Sequence, residues 1–481
     1  MVTSRFHYLE IFPPHMSALW LLAIGMMIVV GGILVLRLHV FLALILGAMT
    51  VALLTPEFAL QRVMETRVSR GELTAKAAAK LVGKPAAGRV AEEFGRTCAN
   101  LGILIAMATI LGQAMLLSGA AEAIAVAMLR CVGAARAHWA FFATSFLLCI
   151  PVMLDTVMYL LAPLFKAVAR RTGRDYLLLV MCTVAGGTIT HSLVPPTPGP
   201  LFVAGELGVP LGLMICMGSG IGLCAALAGV CFALWSNQHH SLAVPIDESV
   251  LPGEVHPLPA LWLSLLPVLL PIGLVGLDAT LSPTLAGLEG LSGFAWALKT
   301  VGDKDMALTL GALVALIPLL GRREDSSKAV RSALSEGAMI LLIIGAGGAF
   351  GGVLQQTGIA SELAASFRGA QIWSLPMVFL VTALVRTAQG SATVAMITAA
   401  PIAKALIISG TAIHPVYFAM AIGCGSKPFA WMNDAGFWII TRLSGMREAQ
   451  TLRTVSPMMA IQGVVGLLIT MLVAWLFPMS R

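Results

Sequence analysis

Long apolar segments without Asp, Glu, Lys or Arg follow one another along the chain, separated by polar connections. They run 11–36, 38–56, 97–121, 137–154, 176–205, 207–246, 255–277, 306–321, 337–361, 369–385, 387–403, 405–426 and 454–480. About 20 apolar residues cross a bilayer core as a helix, and most of these segments are long enough. None alternates apolar and polar residues as the strands of an outer-membrane barrel do. The pattern therefore predicts an all-α polytopic membrane protein.

Composition supports this class. The 481 residues are 58% hydrophobic and 11% charged, whereas soluble proteins carry about 25% charged residues. The net charge of +7 comes from basic residues that gather in the connections, as the positive-inside bias places them, so nucleic acid is not expected as a partner. The eight cysteines have no CxxC spacing, and neither a disulfide framework nor a metal site is predicted.

Two polar stretches divide the chain. Basic and acidic residues interleave at helical spacing over 57–94, which is interpreted as a solvated amphipathic linker that follows the transmembrane helices within 1–94. A stretch rich in Pro, His and acids begins a central connection, 238–305, with one transmembrane helix. The remaining segments, 95–237 and 306–481, are predicted to be the two main units.

These two units resemble each other in sequence. Residues 110–121 parallel 349–360 at an offset of 239, and residues 162–167 parallel 400–405 at an offset of 238. At the offset of 238, the Pro-rich stretch 191–200 aligns with 429–438. Secondary transporters are frequently built from two inverted repeats that hold substrate at their interface, so the sequence predicts this architecture.

Asp155 is the first of four places where polar chemistry enters an apolar segment. A central charge costs about 2.5–3.5 kcal/mol on insertion scales unless it is paired or lines a cavity. The surrounding uncharged stretch begins and ends with Arg136 and Lys166, which fits a re-entrant hairpin near 138–170 with its tip at 155–157. The alternative is one long helix with Asp155 near an interface.

A second place is the stretch around His191, which precedes the prolines and the glycine of 195–200. Such a run breaks a helix, and backbone left without hydrogen bonds must be buried in protein or line water. We therefore predict a broken helix near 178–215. His191 is either a packed core residue or a member of a binding site.

The third place is Arg386, followed by the small residues Thr387, Gly390, Ser391 and Thr393. An arginine offers a fork of donors to a carboxylate, and hydroxyl groups suit a polyol. Because the two units are predicted to be repeats, we predict a second hairpin here, near 374–410, with its tip at 393–395. The alternative is that Arg386 snorkels to the interface.

The fourth place is a further predicted break, within a helix near 413–445. Residues 423–437 combine glycines and a proline with an amide, Asn433, and an acid, Asp434. Symmetry pairs this break with the one near His191.

With these places in view, the sequence resembles the gluconate:proton symporter (GntP) family of the ion-transporter superfamily. Residues 191–200, HSLVPPTPGP, are close to that family's H-x-x-x-P-P-x-P-G-P; residues 386–395, RTAQGSATVA, to its R-x-A-x-G-S-A-T-V-A; and residues 433–438, NDAGFW, to its N-D-x-G-F-W. Residues 341–350 agree further. The similarity covers roughly residues 95–475.

The resemblance implies an elevator-type carrier that forms homodimers in the inner membrane and is not an enzyme. The chain departs from the family at several positions. Leu154 and Val157 stand where an aromatic residue and a glycine are usual, and Thr197 replaces a histidine between the prolines. Ala430 and Trp431 replace the Ser-His of S-H-x-N-D, and Lys427 stands where a neutral residue is usual. An organic anion still fits.

The expected function is import of a small hydroxy-carboxylate, such as a gluconate-like sugar acid, by proton symport. The predicted substrate-binding residues are His191, Pro195, Pro196, Arg386, Thr387, Gly390, Ser391, Thr393 and Asn433. Half-helix N-termini carry partial positive charge and would attract the carboxylate with Arg386. The candidates for the proton carrier are Asp155, Asp434 and His191, with Asp155 first. No cofactor is predicted, and sodium coupling stays an alternative.

Other functions are less consistent with the chain. No HExxH, Walker A or GxSxG sequence occurs, which disfavours a membrane enzyme. A channel does not need two matched broken elements. A di- or tricarboxylate or arsenite-type carrier of the same superfamily is the remaining alternative. Sidedness stays open, because inverted repeats would place the basic stretch 57–94 opposite the equally basic 322–331.

Overall fold

The computed structural model describes residues 18–69, 74–245, 258–285, 292–359, 362, 373–432 and 434–479. Within these ranges the regular elements are helices, as predicted, with two short 3-10 turns at 134–136 and 317–319. The α-helices are α1 (Ala18–Leu34), α2 (Val40–Leu54), α3 (Glu57–Ser69), α4 (Ala75–Val82), α5 (Ala86–Leu117), α6 (Ala120–Val132), α7 (Ala137–Leu148), α8 (Leu154–Thr172), α9 (Tyr176–Leu193), α10 (Pro198–Leu207), α11 (Leu211–His239), α12 (Leu261–Leu285), α13 (Ser292–Gly302), α14 (Lys304–Leu316), α15 (Arg323–Gln356), α16 (Ser374–Gln389), α17 (Ala392–Ile408), α18 (Pro415–Gly425), α19 (Ala435–Ser444) and α20 (Glu448–Leu476).

Six stretches of these helices are long and apolar enough to cross a membrane among the described residues. They are 86–117, 176–207, 211–239, 261–278, 324–356 and 448–476. A seventh would be the pair α2 and α3, which meet at an angle of 96°. The shorter apolar helices, including α7, α16, α17 and α18, belong to the interrupted elements that form the candidate site.

Apart from α6, the same succession of helices occurs twice among the described residues. A long helix (α5 or α15) precedes a pair of shorter helices, the second of which contains a proline, Pro163 in α8 and Pro401 in α17. A broken helix follows, α9–α10 or α18–α19, and then another long helix, α11 or α20. This order agrees with the duplication seen in the sequence.

Glycines of α15 let three helices pack closely. A Cβ at Gly352 would lie 2.6 Å from Cδ of Glu93 in α5, and a Cβ at Gly351 would lie 2.5 Å from Cγ of Pro401 in α17. Side chains at these positions would force the helices apart. The long helix α15 therefore lies between α5 and α17. The first residues of α17 contribute to the candidate site.

The first broken helix is interrupted at 194–197, within the predicted range. Pro195 and Pro196 lack backbone N–H groups, and the peptide bond between them is cis. The Thr197 hydroxyl donates to the carbonyls of His191 at 2.9 Å and Val194 at 2.8 Å, so carbonyls freed at the end of α9 are satisfied. Pro198 then begins α10, where its fixed φ suits a first helical turn.

The second broken helix is interrupted between Gly425 and Ala435, also within the predicted range. Asp434 is the N-cap of α19 and accepts a hydrogen bond from the Gly436 amide at 2.9 Å. The acid that marked this stretch in the sequence thus determines where the helix resumes.

The two predicted hairpin tips are displaced in the structure. The first pair of helices is interrupted at 149–153 instead of 155–157, and Asp155 lies in the first turn of α8. The second pair is interrupted at Gly390 and Ser391 instead of 393–395. Gly390 has φ +84° and ends α16, and the Ser391 hydroxyl accepts from the Val394 amide to cap α17.

The interpretation of 57–94 as a solvated linker is wrong at its C-terminal end. Residue 94 lies inside α5, and Arg89 and Glu93 are only 6% and 5% exposed. Arg89 donates to Gln356 Oε1 at 3.1 Å and to the Ala52 carbonyl at 2.6 Å, and Gln356 donates to Glu93 at 3.3 Å. These charges are buried because α15 brings an amide to pair with them, which no local pattern reveals.

Candidate functional site

A cavity of about 270 Å³ lies where the interrupted helices meet. The ends of α16 and α18 and the starts of α8, α17 and α19 surround it, with α9 and α20 completing the wall. Its polar lining residues are Asp155, Thr188, His191, Arg386, Ser391, Thr393, Lys427 and Asp434. The cavity therefore joins all four places where polar chemistry enters the apolar sequence.

Arg386 forms the charged centre of this cavity. Its Nη2 donates to Oδ2 of Asp434, and its Nε donates to the Ser426 carbonyl at 3.2 Å. The side chain is 3% exposed and that of Asp434 is 14% exposed, so Arg386 does not snorkel to the surface. Nη1 is buried without a hydrogen-bond partner among the described residues. This orphaned donor is available to a ligand.

Lys427 is the residue that the predicted site lacked. Its side chain is 2% exposed and lines the cavity, and its Nζ donates to the Thr188 carbonyl. The sequence carried a signal, because this lysine directly follows the interruption after Gly425 and differs from the neutral residue usual in the resembled family. It brings a second cation into the cavity beside Arg386.

Asp155 and Asp434 both lie close to Gly436 at the wall of the cavity. A Cβ at position 436 would lie 3.4 Å from Oδ1 of Asp434 and 3.7 Å from Oδ1 of Asp155. Asp434 is paired with Arg386, whereas Asp155 has no ion-pair partner in the part of the chain that the structure describes. The two acids thus differ in environment although they share a cavity.

His191 lies at the end of α9 and faces the same cavity. Its Nδ1 is buried and has no hydrogen-bond partner within the described ranges. Ser391 and Thr393, at the start of α17, contribute hydroxyl groups nearby. Donors, acceptors, two cations and two carboxylates therefore surround a polar space of the size of a small ligand.

The structure brings together most of the predicted site residues but places some elsewhere. Pro195 and Pro196 line adjoining cavities of about 30 Å³. Thr387 does not line the cavity, and its hydroxyl donates to the Ala383 carbonyl at 2.7 Å. Asn433 lies outside the described residues. The described structure does not place these four residues at the cavity, and a binding role stays a prediction for all the predicted site residues.

Buried charges around a cavity between two broken helices, in a chain with at least six apolar spans, define a polytopic membrane transporter. A sequence profile described as GntP family permease matches residues 77–476. The chain belongs to the GntP permease family and is a multi-pass protein of the inner membrane, which confirms the resemblance.

Two relatives support this assignment, and one solved structure has a similar fold. The chain is 34% identical over 389 residues to a gluconate permease of Pseudomonas aeruginosa, covering 79% of this chain and 86% of that one. It is 32% identical over 392 residues to a low-affinity gluconate transporter of Escherichia coli, with the same coverage of 79% and 86%. The fold is similar to the crystal structure of the Alcanivorax borkumensis YdaH transporter, with a TM-score of 0.59 and 14% identity over 85% of this chain and 91% of that chain.

Proposed function

We propose that the protein imports a gluconate-like sugar acid together with a proton. The observation that carries this proposal is the buried Nη1 of Arg386, a charged donor without a partner among the described residues, on a side chain that lines a cavity with hydroxyl groups. A carboxylate satisfies such a donor with a charge-assisted hydrogen bond. The start of α17 adds the partial positive charge of a helix N-terminus.

Ser391 and Thr393 are proposed to bind the hydroxyl groups of the substrate. Both line the cavity at the start of α17, one and three residues after Gly390. Asn433 and His191 would extend this polar surface. Relatives named for gluconate, and a further relative of Escherichia coli named as an L-idonate transporter at 28% identity, support a polyhydroxy monocarboxylate.

Asp155 is proposed as the proton carrier. Asp434 is held by Arg386 in an ion pair, whereas no basic side chain among the described residues pairs with Asp155. A carboxyl group without a fixed counter-ion can accept and release a proton at lower cost than one bound to a guanidinium. Asp155 lies at the cavity wall, where a proton and a substrate arrive together.

The repeated order of helices supports an elevator built from two inverted repeats. In this proposal α5 and α15 belong to a stationary part, and α7–α10 with α16–α19 form the moving part that carries the cavity. A homodimer through the stationary parts completes the arrangement. The close packing of Gly351 against Pro401 would lie at the boundary between the parts.

Uptake into proteoliposomes tests the transport proposal. The protein is reconstituted, a pH gradient is imposed, and labelled sugar acids, C4-dicarboxylates, tricarboxylates and D-serine are offered. We expect accumulation of an aldonate-like substrate that stops when the proton gradient is dissipated. Accumulation driven only by sodium, or of di- or tricarboxylates alone, would contradict the proposal.

A further inference from the structure

Lys427 is a buried cation in the cavity with spare hydrogen-bonding capacity. An ammonium group has three N–H donors, and the contact of Nζ with the Thr188 carbonyl uses one. No carboxylate forms an ion pair with Lys427 among the described residues, and the carboxylate whose charge acts on it, that of Asp434, is already bound to Arg386. A buried ammonium without a counter-ion is costly, so a site of this kind favours an anion beside it.

The positive charge of Arg386 is not free to balance the charge of a substrate. Its guanidinium is already paired with Asp434, and a second bond to the Ser426 carbonyl fixes its plane. Substrate binding at Nη1 adds a hydrogen bond there, but the formal charge of Arg386 is matched before the substrate arrives. The positive charge left for an anion belongs to Lys427.

We propose that Lys427 is the counter-charge of the substrate and that it restricts the cavity to a monovalent carboxylate that enters with one proton. The inference rests on the proposed function and adds the valence of the substrate to it. The ionisable side chains that line the cavity within the described ranges are Asp155, His191, Arg386, Lys427 and Asp434. Glu336 lies in an adjoining cavity, where Gln113 donates to it at 3.0 Å.

Of the four combinations of one proton and one monovalent anion, two leave the cavity without net charge. With His191 neutral, the empty cavity holds two cations and two carboxylates, so its net charge is zero. When Asp155 is protonated and a monovalent anion is bound, the net charge is again zero. A proton without substrate leaves one positive charge, and substrate without a proton leaves one negative charge.

This balance couples the two ligands. An uncompensated charge in a low-dielectric environment costs several kcal/mol even after relaxation, so the half-loaded cavities are the unfavourable ones to carry across the bilayer. A dicarboxylate with one proton would leave one negative charge. The neutral amide of a sugar acid would leave Lys427 without a counter-ion once Asp155 is protonated.

Competition in reconstituted protein tests the inference. Uptake of labelled gluconate is competed by unlabelled gluconate, by gluconamide and by glucarate, which have the same carbon chain but one, zero and two negative charges. If another sugar acid of the uptake panel is accumulated better, its amide and its dicarboxylic counterpart replace them. In the wild type, the monovalent acid should compete about tenfold better or more than either analogue, as expected for one charge-assisted contact.

Two variants assign this preference to Lys427. Lys427→Gln should lose the preference for the acid over the amide, whereas Lys427→Arg should retain it because the charge is kept. Lys328→Gln, the same change at an exposed lysine of α15, is the matched control and should behave as the wild type. Elution of each variant as one symmetric peak in size-exclusion chromatography checks its fold.

The outcomes separate this inference from the proposed function. Equal competition by the amide or the dicarboxylate in the wild type would overturn the inference while gluconate transport stands, and this comparison needs no variant. Retained preference for the acid in Lys427→Gln would also overturn it. Failure of the wild type to accumulate any sugar acid would contradict the proposed function itself, and the inference with it.

Discussion

The guanidinium of Arg386 uses two of its three nitrogens within the protein. Nη2 donates to Asp434, Nε donates to the Ser426 carbonyl, and Nη1 is buried without a partner in the described structure. An ammonium group at this position cannot reproduce that arrangement. The geometry at Arg386, and not only its charge, is therefore expected to matter for binding.

We predict that Arg386→Lys weakens substrate binding by about 1.5–3 kcal/mol, the usual contribution of a hydrogen bond to a charged group. The measurement is the dissociation constant by isothermal titration calorimetry in detergent. Arg442→Lys, an exposed change in α19, serves as the control and should bind normally. Wild-type affinity in a folded Arg386→Lys protein would show that the fork does not hold the carboxylate.

The proton carrier can be identified by comparing two modes of transport. Asp155→Asn cannot release a proton, so gradient-driven uptake should fail, while exchange of internal for external substrate should survive because it needs no net proton movement. Asp434→Asn should impair both modes, since it leaves the charge of Arg386 unmatched. Proton-driven accumulation in Asp155→Asn would remove Asp155 from this role, and the same result in both variants would leave His191 as the candidate.

Sequence reasoning found the charged residues of the site more reliably than their partners. Asp155, Arg386 and Asp434 stand out because a charge in an apolar segment needs a reason. The pairing of Arg386 with Asp434 joins residues 48 positions apart, and only packing reveals it. Pro195 and Pro196 were correctly linked to a helix break, but the direction that a break faces is a tertiary property.

At the scale of elements, the positions of the interruptions follow from capping chemistry. Gly390 and Ser391 end one helix and begin the next because glycine tolerates φ +84° and a serine hydroxyl caps the following turn. The sequence-based tips were shifted toward the chemically conspicuous residues 155–157 and 393–395. A helix begins at its N-cap residue, and the positions of charged residues do not show where that residue lies.

Gly390→Ala tests the importance of this turn. An L side chain in the left-handed region costs about 1–2 kcal/mol, so the melting temperature in detergent should fall and substrate affinity should fall with it, since Ser391 and Thr393 follow directly. Gly220→Ala in α11 is the control, because its Cβ would meet no heavy atom within 4 Å and alanine is favoured in a helix. An unchanged melting temperature in Gly390→Ala would show that the turn has another conformation.

For the whole molecule, the proposed elevator movement can be tested at the boundary between the stationary and moving parts. A Cβ at position 351 would lie 2.9 Å from the Pro401 Cβ, across the proposed boundary between the stationary and moving parts. A small relaxation brings such a pair to the 3.5–4.5 Å spacing of a disulfide. The introduced pair Gly351→Cys and Pro401→Cys should therefore lock the two parts together.

The experiment starts from a variant in which the eight native cysteines are replaced. Oxidation of the 351/401 pair should abolish transport while substrate binding persists, and reduction should restore transport. The control pair, Thr97→Cys and Gly348→Cys, joins α5 to α15 within the stationary part, with a Cβ separation of 2.7 Å, and its oxidation should leave transport intact. Transport by the cross-linked 351/401 protein would rule out sliding at this boundary.

Much of the architecture was predictable at this scale. Hydrophobic segment length gives the helical class, and the agreement between 110–121 and 349–360 gives the repeated order of elements. The burial of Arg89 and Glu93 was not predictable, because it depends on Gln356 in the other half of the chain. Long-range polar pairing inside a membrane leaves no periodic signal in the sequence.

This pairing also has a consequence for biosynthesis. Gln356 follows Arg89 by 267 residues, so at about 5–20 residues per second the ribosome needs on the order of tens of seconds to deliver it after α5 has been made. During that interval Arg89 has only the Ala52 carbonyl, and Glu93 lacks its amide donor. Full insertion of the start of α5 at that stage would expose two incompletely paired charges to lipid. The nascent chain is thus expected to hold this turn at the membrane surface until α15 emerges, so that a helix of the second half of the chain completes the pairing of a helix of the first half.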